Sequence, residues 1–113
     1  MHSAARSQAA PQHIRALEHA NRVRLARAEL KRRIAAGAIG AADVVARSPW
    51  EAETMSVSEL LMSQKRWGRA RCRRLLVSLG VPENKALGSL TERQRTALAQ
   101  VLEARTAVLA EAV

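Results

Sequence analysis

The chain contains no phenylalanine and no tyrosine, one cysteine, three prolines and five glycines in 113 residues. Without the larger rings, a core has to be assembled from close contacts between short aliphatic side chains. Alanine, the strongest helix former, occurs 23 times, which favours packed helices over sheets. A lone cysteine, Cys72, excludes an intrachain disulfide and a thiolate metal cluster within one chain, and it suits a reducing compartment. No apolar run approaches the ~20 residues that a membrane span requires. The N-terminus also lacks the hydrophobic stretch of a secretory signal. A cytoplasmic, all-α protein without cofactor, metal or membrane partner is expected.

Acids are scarce as well. Asp and Glu number 10 against 19 Lys and Arg, so the net charge is +9 and the isoelectric point lies near 11.5. That exceeds what solubility needs and implies a polyanionic partner. Arginine supplies 16 of the cations. A GC-rich genome raises arginine content by itself, but the guanidinium also forks onto phosphate oxygens as lysine does not.

Read along the chain, residues 1–12 carry no apolar period and end at Pro11, which predicts a disordered lead-in. A helix over 14–36 follows, free of proline and glycine and stopped at Gly37. Val23, Ala26, Leu30 and Ile34 share one of its faces, whereas Ile14 and Leu17 lie nearer the opposite one. Its second half is therefore expected to pack, and its first half to project with Arg15, Arg22 and Arg24 in solvent. The division is a projecting basic helix over 13–36 and a helical domain over 37–113.

Within that domain a short helix is expected over 41–47, entered from Gly40, closed by Ser48-Pro49 and burying Val44 and Val45, with Trp50 in a loop. Ser56 and Glu59 form a capping box for a two-turn helix that buries Val57, Leu60 and Leu61. A basic turn, Gln64-Lys65-Arg66-Trp67-Gly68, leads to a helix over 69–79 with Cys72, Leu75, Leu76 and Leu79 on one stripe. A longer connection closes at Thr91, which with Gln94 makes a second capping box. The last helix is expected to bury Ala97, Leu98, Val101, Leu102, Val108 and Leu109.

The positive charge is not spread evenly. Residues 1–36 hold 8 cations and 2 acids, 37–64 hold 1 and 4, 65–74 hold 6 and 0, and 75–113 hold 4 and 4. In the first segment Glu29 can pair with Arg33 at i+4, so part of that charge has a structural use. The ten-residue cluster of Lys65, Arg66, Arg69, Arg71, Arg73 and Arg74 is different in kind. It straddles a helix start, where unpaired N–H groups and the dipole already favour an anion. Cations there oppose folding by a few tenths of a kcal/mol each, roughly. A phosphate arriving from outside would resolve the conflict.

The segment LLMSQKRWGRARCRRLLVSLGV resembles a helix-two-turns-helix motif, as found in a ribosomal small-subunit protein and in DNA-repair glycosylases. From about Ala16 to Leu102, the order ARAELKRRIAAG, MSVSELL, WGRAR, LGV and LTERQR resembles the actinobacterial integration host factors. These are nucleoid-associated proteins unrelated in fold to the β-ribbon factors of the same name. The resemblance implies an all-α domain with a projecting N-terminal helix and duplex DNA bound through its backbone phosphates. It also implies DNA bending, roles in chromosome compaction and phage site-specific recombination, and a place in the nucleoid. Gly68, Arg69 and Arg71 match the family's glycine-basic-apolar-basic turn and inherit its phosphate role. The family's further basic residues before the last helix are represented here by Lys85, Arg93 and Arg95, with Ala86 and Gly88 where more charge is usual. Trp67 replaces a small aliphatic residue and is expected to pack under the turn or to lie against a sugar.

Three other classes are weighed against a monomeric DNA binder that works with recombinase or nucleoid proteins. For an enzyme, His2, His13 and His19 sit in or near the arm, none at catalytic spacing from Cys72, and Asp43, Glu51 and Glu53 suggest no pocket. For an RNA- or ribosome-binding protein, a phosphate-reading turn serves equally well. For an interaction module with a membrane-lying arm, the broken apolar stripe is unfavourable.

Overall fold

The structure is a computed structural model that describes the backbone of residues 2–112 and the side chains of residues 11–105. Five helices run in the order α1 (His2–Ala35), α2 (Ala41–Arg47), α3 (Val57–Met62), α4 (Arg69–Leu79) and α5 (Glu92–Ala112), with 3-10 turns at Trp50–Ala52 and Leu87–Ser89. The protein is all-α, with a long N-terminal helix leading into a compact helical domain.

Helix α1 begins at His2 and contains Pro11, in place of the disordered lead-in expected over 1–12. Residues 2–10 have no glycine and several strong helix formers, but no apolar period to betray them. Pro11 lies inside the helix, where it removes one N–H from the ladder and its ring crowds the carbonyl four residues earlier. From residue 11 to residue 22 every side chain is exposed, Leu17 by 57%. Leu30 and Ile34 are buried, and Val23 and Ala26 half-buried, on the face that the period assigned to the core. The second half of α1 packs on the 3-10 turn at Trp50–Ala52. Arg27 fastens it there by donating to the Glu51 carbonyl at 3.4 Å and to the Thr54 hydroxyl. Lys31 pairs with Glu59, and Glu29 pairs with Arg32 and, at 3.4 Å, with Arg33. The cations in this half are largely occupied by the fold. Helix geometry gives the 34 residues of α1 a length of about 51 Å, and the molecule extends 69 × 28 × 23 Å.

The remaining helices enclose an aliphatic core in which Val45, Met55, Val57, Leu60, Leu61, Leu76, Leu87 and Leu98 are fully buried. Helix α2 lies against α5, and α3 against α4. Of the last helix's expected apolar side, Leu98 and Leu102 are buried and Ala97 and Val101 half-buried; Val108 and Leu109 lie outside the described side chains. Ser56 Oγ accepts the Glu59 N–H at 3.1 Å, as a cap should. The reciprocal half of that box is replaced by the Lys31 pair. The second box is complete: Thr91 Oγ1 accepts from Gln94 N at 3.1 Å, and Gln94 Oε1 accepts from Thr91 N at 3.0 Å.

The connection between α4 and α5 holds more of the core than its sequence suggested. Val81, Leu87 and Leu90 are buried there, because residues 83–88 lie antiparallel to 53–58 about a single β-bridge between Ser56 and Ala86. Val57 N–H donates to Lys85 O at 2.9 Å, Ser58 to Glu83 at 3.1 Å, Leu87 to Met55 at 2.9 Å and Gly88 to Glu53 at 2.9 Å. A side chain at position 88 would meet the Glu53 carbonyl at 3.1 Å. The approach of two backbones, not a lost charge, explains the glycine.

Arg95 completes this arrangement. Its guanidinium donates to Val45 O at 2.7 Å and Leu87 O at 2.8 Å, tying α2 and the second 3-10 turn to α5. Charged hydrogen bonds of this kind are worth about 1.5–3 kcal/mol each where the acceptor is otherwise stranded. Arg95→Ala is expected to lower the unfolding free energy by about 2–3 kcal/mol, measured by urea denaturation; a change below about 0.5 kcal/mol, the level of an ordinary surface substitution, would contradict the strap.

Candidate nucleic-acid interface

The six cations of the 65–74 cluster fall on the turn and on α4, with no acidic residue in the helix's first turn. The turn is built by short-range bonds: Gln64 N–H donates to Leu61 O at 3.2 Å, and Trp67 N–H donates to Gln64 O at 3.2 Å. Arg66 carries the reversal at φ +70°. An L residue in that region costs on the order of 1–2 kcal/mol relative to the right-handed basin, so glycine would be the ordinary occupant. Arginine keeps a charge at the apex instead.

Gly68 is the N-cap of α4, with φ −86° and ψ 173° and no side chain to cap the helix. Cys72 N–H is the first to return to the chain, donating to Gly68 O at 3.2 Å. The N–H groups of Arg69, Ala70 and Arg71 therefore have no helical carbonyl in reach. The glycine's dihedrals are open to any residue, and an added Cβ would meet nothing within 4 Å. Neither backbone strain nor packing asks for glycine here. Its effect is to leave three unpaired N–H groups and the positive end of the α4 dipole uncovered.

Lys65, Arg66, Arg69 and Arg74 are exposed, and among the described residues none of them meets a carboxylate or other side-chain acceptor. Arg73 is held differently. Its Nε lies 2.5 Å from Glu83 Oε1, and that hydrogen bond and charge raise the Arg73 pKa above its ordinary value. Of the six expected cations, then, the fold already neutralises one. The same pair fixes the 83–85 segment to the flank of α4. Lys85, two residues beyond, donates to Gln94 Oε1 at 3.0 Å. Arg93 is exposed in the first turn of α5, and Arg95 is the structural strap already described.

Trp67 and Arg105 complete the site. Trp67 is half-buried against the core, as expected for packing under the turn. Its ring carries the guanidinium of Arg71 at 4.2 Å from the centroid and that of Arg105, from α5, at 5.7 Å. Each such contact is worth about 0.5–1 kcal/mol at an exposed site. Arg105 gave no signal in the sequence, being far from the cluster along the chain. Cys72, on α4, is buried, with its thiol pushed up by that burial against the opposing pull of Arg71. It stays protonated at neutral pH and serves as a small apolar filler. Among the described residues, no group of three His, Cys, Asp or Glu side chains is placed to hold a metal ion, and no helix is long and apolar enough to cross a membrane.

These features define a class: a small helical domain in which two helices joined by a basic, glycine-ended turn present an uncovered, positively charged helix start. The chain is similar to the solved structure of sIHF bound to an 8-bp palindromic DNA, with a TM-score of 0.68 and 26% identity over 75% of this chain and 98% of that one. No protein-family model matches the chain, and no curated protein does.

Because nothing in the fold requires Gly68, Gly68→Ser should leave the unfolding free energy unchanged or raise it by a few tenths of a kcal/mol, about the advantage of Ser over Gly at an N-cap. Thermal or urea unfolding checks this, and a loss above about 1 kcal/mol, typical of a removed cap, would show a folding role.

Proposed function

We propose that the protein is a nucleoid-associated, architectural DNA-binding protein of the actinobacterial integration-host-factor type, gripping duplex DNA by its backbone phosphates with little reading of base sequence. One observation carries the reading: an uncapped helix start, entered through a glycine that the fold does not need, is surrounded by arginines and a lysine of which, among the described residues, Arg73 alone has a counter-charge, Glu83. Phosphate oxygens supply both missing items, acceptors for the free N–H groups and negative charge for the dipole and side chains. The likeness to sIHF, solved on DNA, supports duplex DNA as the polyanion.

In this reading Gly68, Arg69 and Arg71 sit at the phosphate, and Lys65, Arg66 and Arg74 border it. Arg73, shared with Glu83, contributes less. Lys85 and Arg93 form a secondary contact along the strand, and Arg95 takes no part. The first half of α1 is a basic arm on a DNA-binding domain spanning 37–113. Contacts of this kind fix position without carrying sequence information. Bending or compaction of the chromosome and assistance to a phage recombinase follow as the proposed roles.

Neutralising five to seven phosphates predicts that log K falls with log[salt] at a slope of about −4.5 to −6. Replacing Arg69 and Arg71 together by Ala should weaken binding to unrelated duplexes alike and reduce that slope by about 2. Gel-shift titrations at several salt concentrations measure both, and a double variant with unchanged affinity and slope contradicts the proposal. A duplex-RNA competitor in the same titration should displace DNA poorly; equal displacement would turn the reading toward RNA. Glu83→Gln, which frees Arg73, should make the slope steeper by up to about 0.9, and a shallower slope would argue against Arg73 lying near the strand.

A further inference from the structure

We infer that Arg105, from the last helix, is a phosphate contact of the same surface, and that Trp67 is the positioning residue that holds Arg71 and Arg105 together for it. This rests on the DNA-binding reading above and extends it to a second structural element.

Two guanidinium groups lie within 6 Å of the centroid of one indole ring, close enough to repel each other across less than a Debye length or so, about 10 Å at 0.1 M salt. Among the described residues no acid pairs with either of them. The residues one helical turn away from Arg71 are Trp67, Gly68, Arg74 and Leu75, and those around Arg105 are Val101, Leu102, Val108 and Leu109. Neither arginine has an ion pair or a hydrogen-bond acceptor among the described residues. Among the described residues, the negative face of the ring is what gathers them.

Trp67 is well suited to this. Half-buried against the core, its ring is fixed by packing, so the cations that rest on it lose little further freedom on meeting a ligand. Arg71 lies in the first turn of α4, beside the free N–H groups, while Arg105 comes from α5. A strand whose phosphate sits at Gly68 to Arg71 would therefore find a further cation already placed on a different helix. The ring makes one surface from two elements that share no sequence motif.

The test uses the 113-residue chain with Trp50→Phe, so that Trp67 is its sole indole, and a non-specific duplex. Arg105→Gln should weaken binding about fivefold near 0.15 M salt and lower the salt slope by about 0.9, as for one lost phosphate contact. Trp67→Ala should lower the slope by up to twice that, and adding Arg105→Gln to it should cost much less than in the parent. Trp67→Phe, which keeps a ring face, should restore most of the slope. The fluorescence of Trp67 should change on DNA binding and keep its free-state spectrum under high salt. Circular dichroism of each variant separates unfolding from lost contact, and the exposed Arg105→Gln tests the claim even where Trp67→Ala does not fold. An Arg105→Gln variant with parental affinity and slope, or additive Trp67 and Arg105 effects, overturns the inference while leaving the DNA-binding reading in place. A parent that shows no salt-dependent duplex binding overturns that reading itself.

Discussion

The constraint on which the rest depends is the crowding of like charge at the start of α4. A helix N-terminus is the positive end of a dipole, and here it is furnished with arginines and no acid. Left to folding alone, the position calls for Ser, Asp or Glu. The chain instead has Gly68 as cap, Arg69 and Arg71 in the first turn, and Arg66 bent into the left-handed region at the apex of the turn. Each of these choices opposes stability slightly, and all of them become favourable once an anion is seated at the helix start.

The surrounding fold holds that unfavourable arrangement in place. Leu75 and Leu76 on the inner side of α4, with Cys72, anchor the helix in the core, so its charged end does not need to stabilise itself. The antiparallel run of 83–88 along 53–58, with Arg95 donating into it, keeps the connection close to α4. Glu83 then reaches Arg73 and sets how many of the cations remain free. In α1, by contrast, most of the cations in the packed half have partners of their own, Glu29, Glu59, Thr54 and the Glu51 carbonyl. A count of charges along the chain treats the two halves of the molecule alike, whereas their chemistry is different.

Much of the architecture was legible in advance because it rests on local rules. Gly40 and Ser48-Pro49 bounded α2, Gly68 and Gly80 bounded α4, and the Thr91–Gln94 box opened α5; each is a signal confined to a few residues. The apolar periods of α3 and α4 gave their buried faces for the same reason. What depended on pairing distant segments was not legible. Met55, Leu87 and Gly88 are explained by one another across the chain, and no periodicity marks either segment. The helical start of α1 escaped because alanine-rich sequence without an apolar stripe leaves no period to read. At the site, the cluster over 65–74 was visible as composition, but the diversion of Arg73 to Glu83, the use of Arg95 as a strap and the arrival of Arg105 over Trp67 are tertiary facts. Trp67, which looked like an exception to a pattern, becomes intelligible only with the two cations resting on it.

The most direct test of the central claim is to titrate a short DNA duplex into the isotope-labelled protein and follow its backbone amide signals by NMR. Phosphate seated at the helix start should move the amides of Gly68, Arg69, Ala70 and Arg71 most, at concentrations where those of α2 and the packed half of α1 stay still. Perturbations centred on any other surface, with those four amides unmoved, would contradict it.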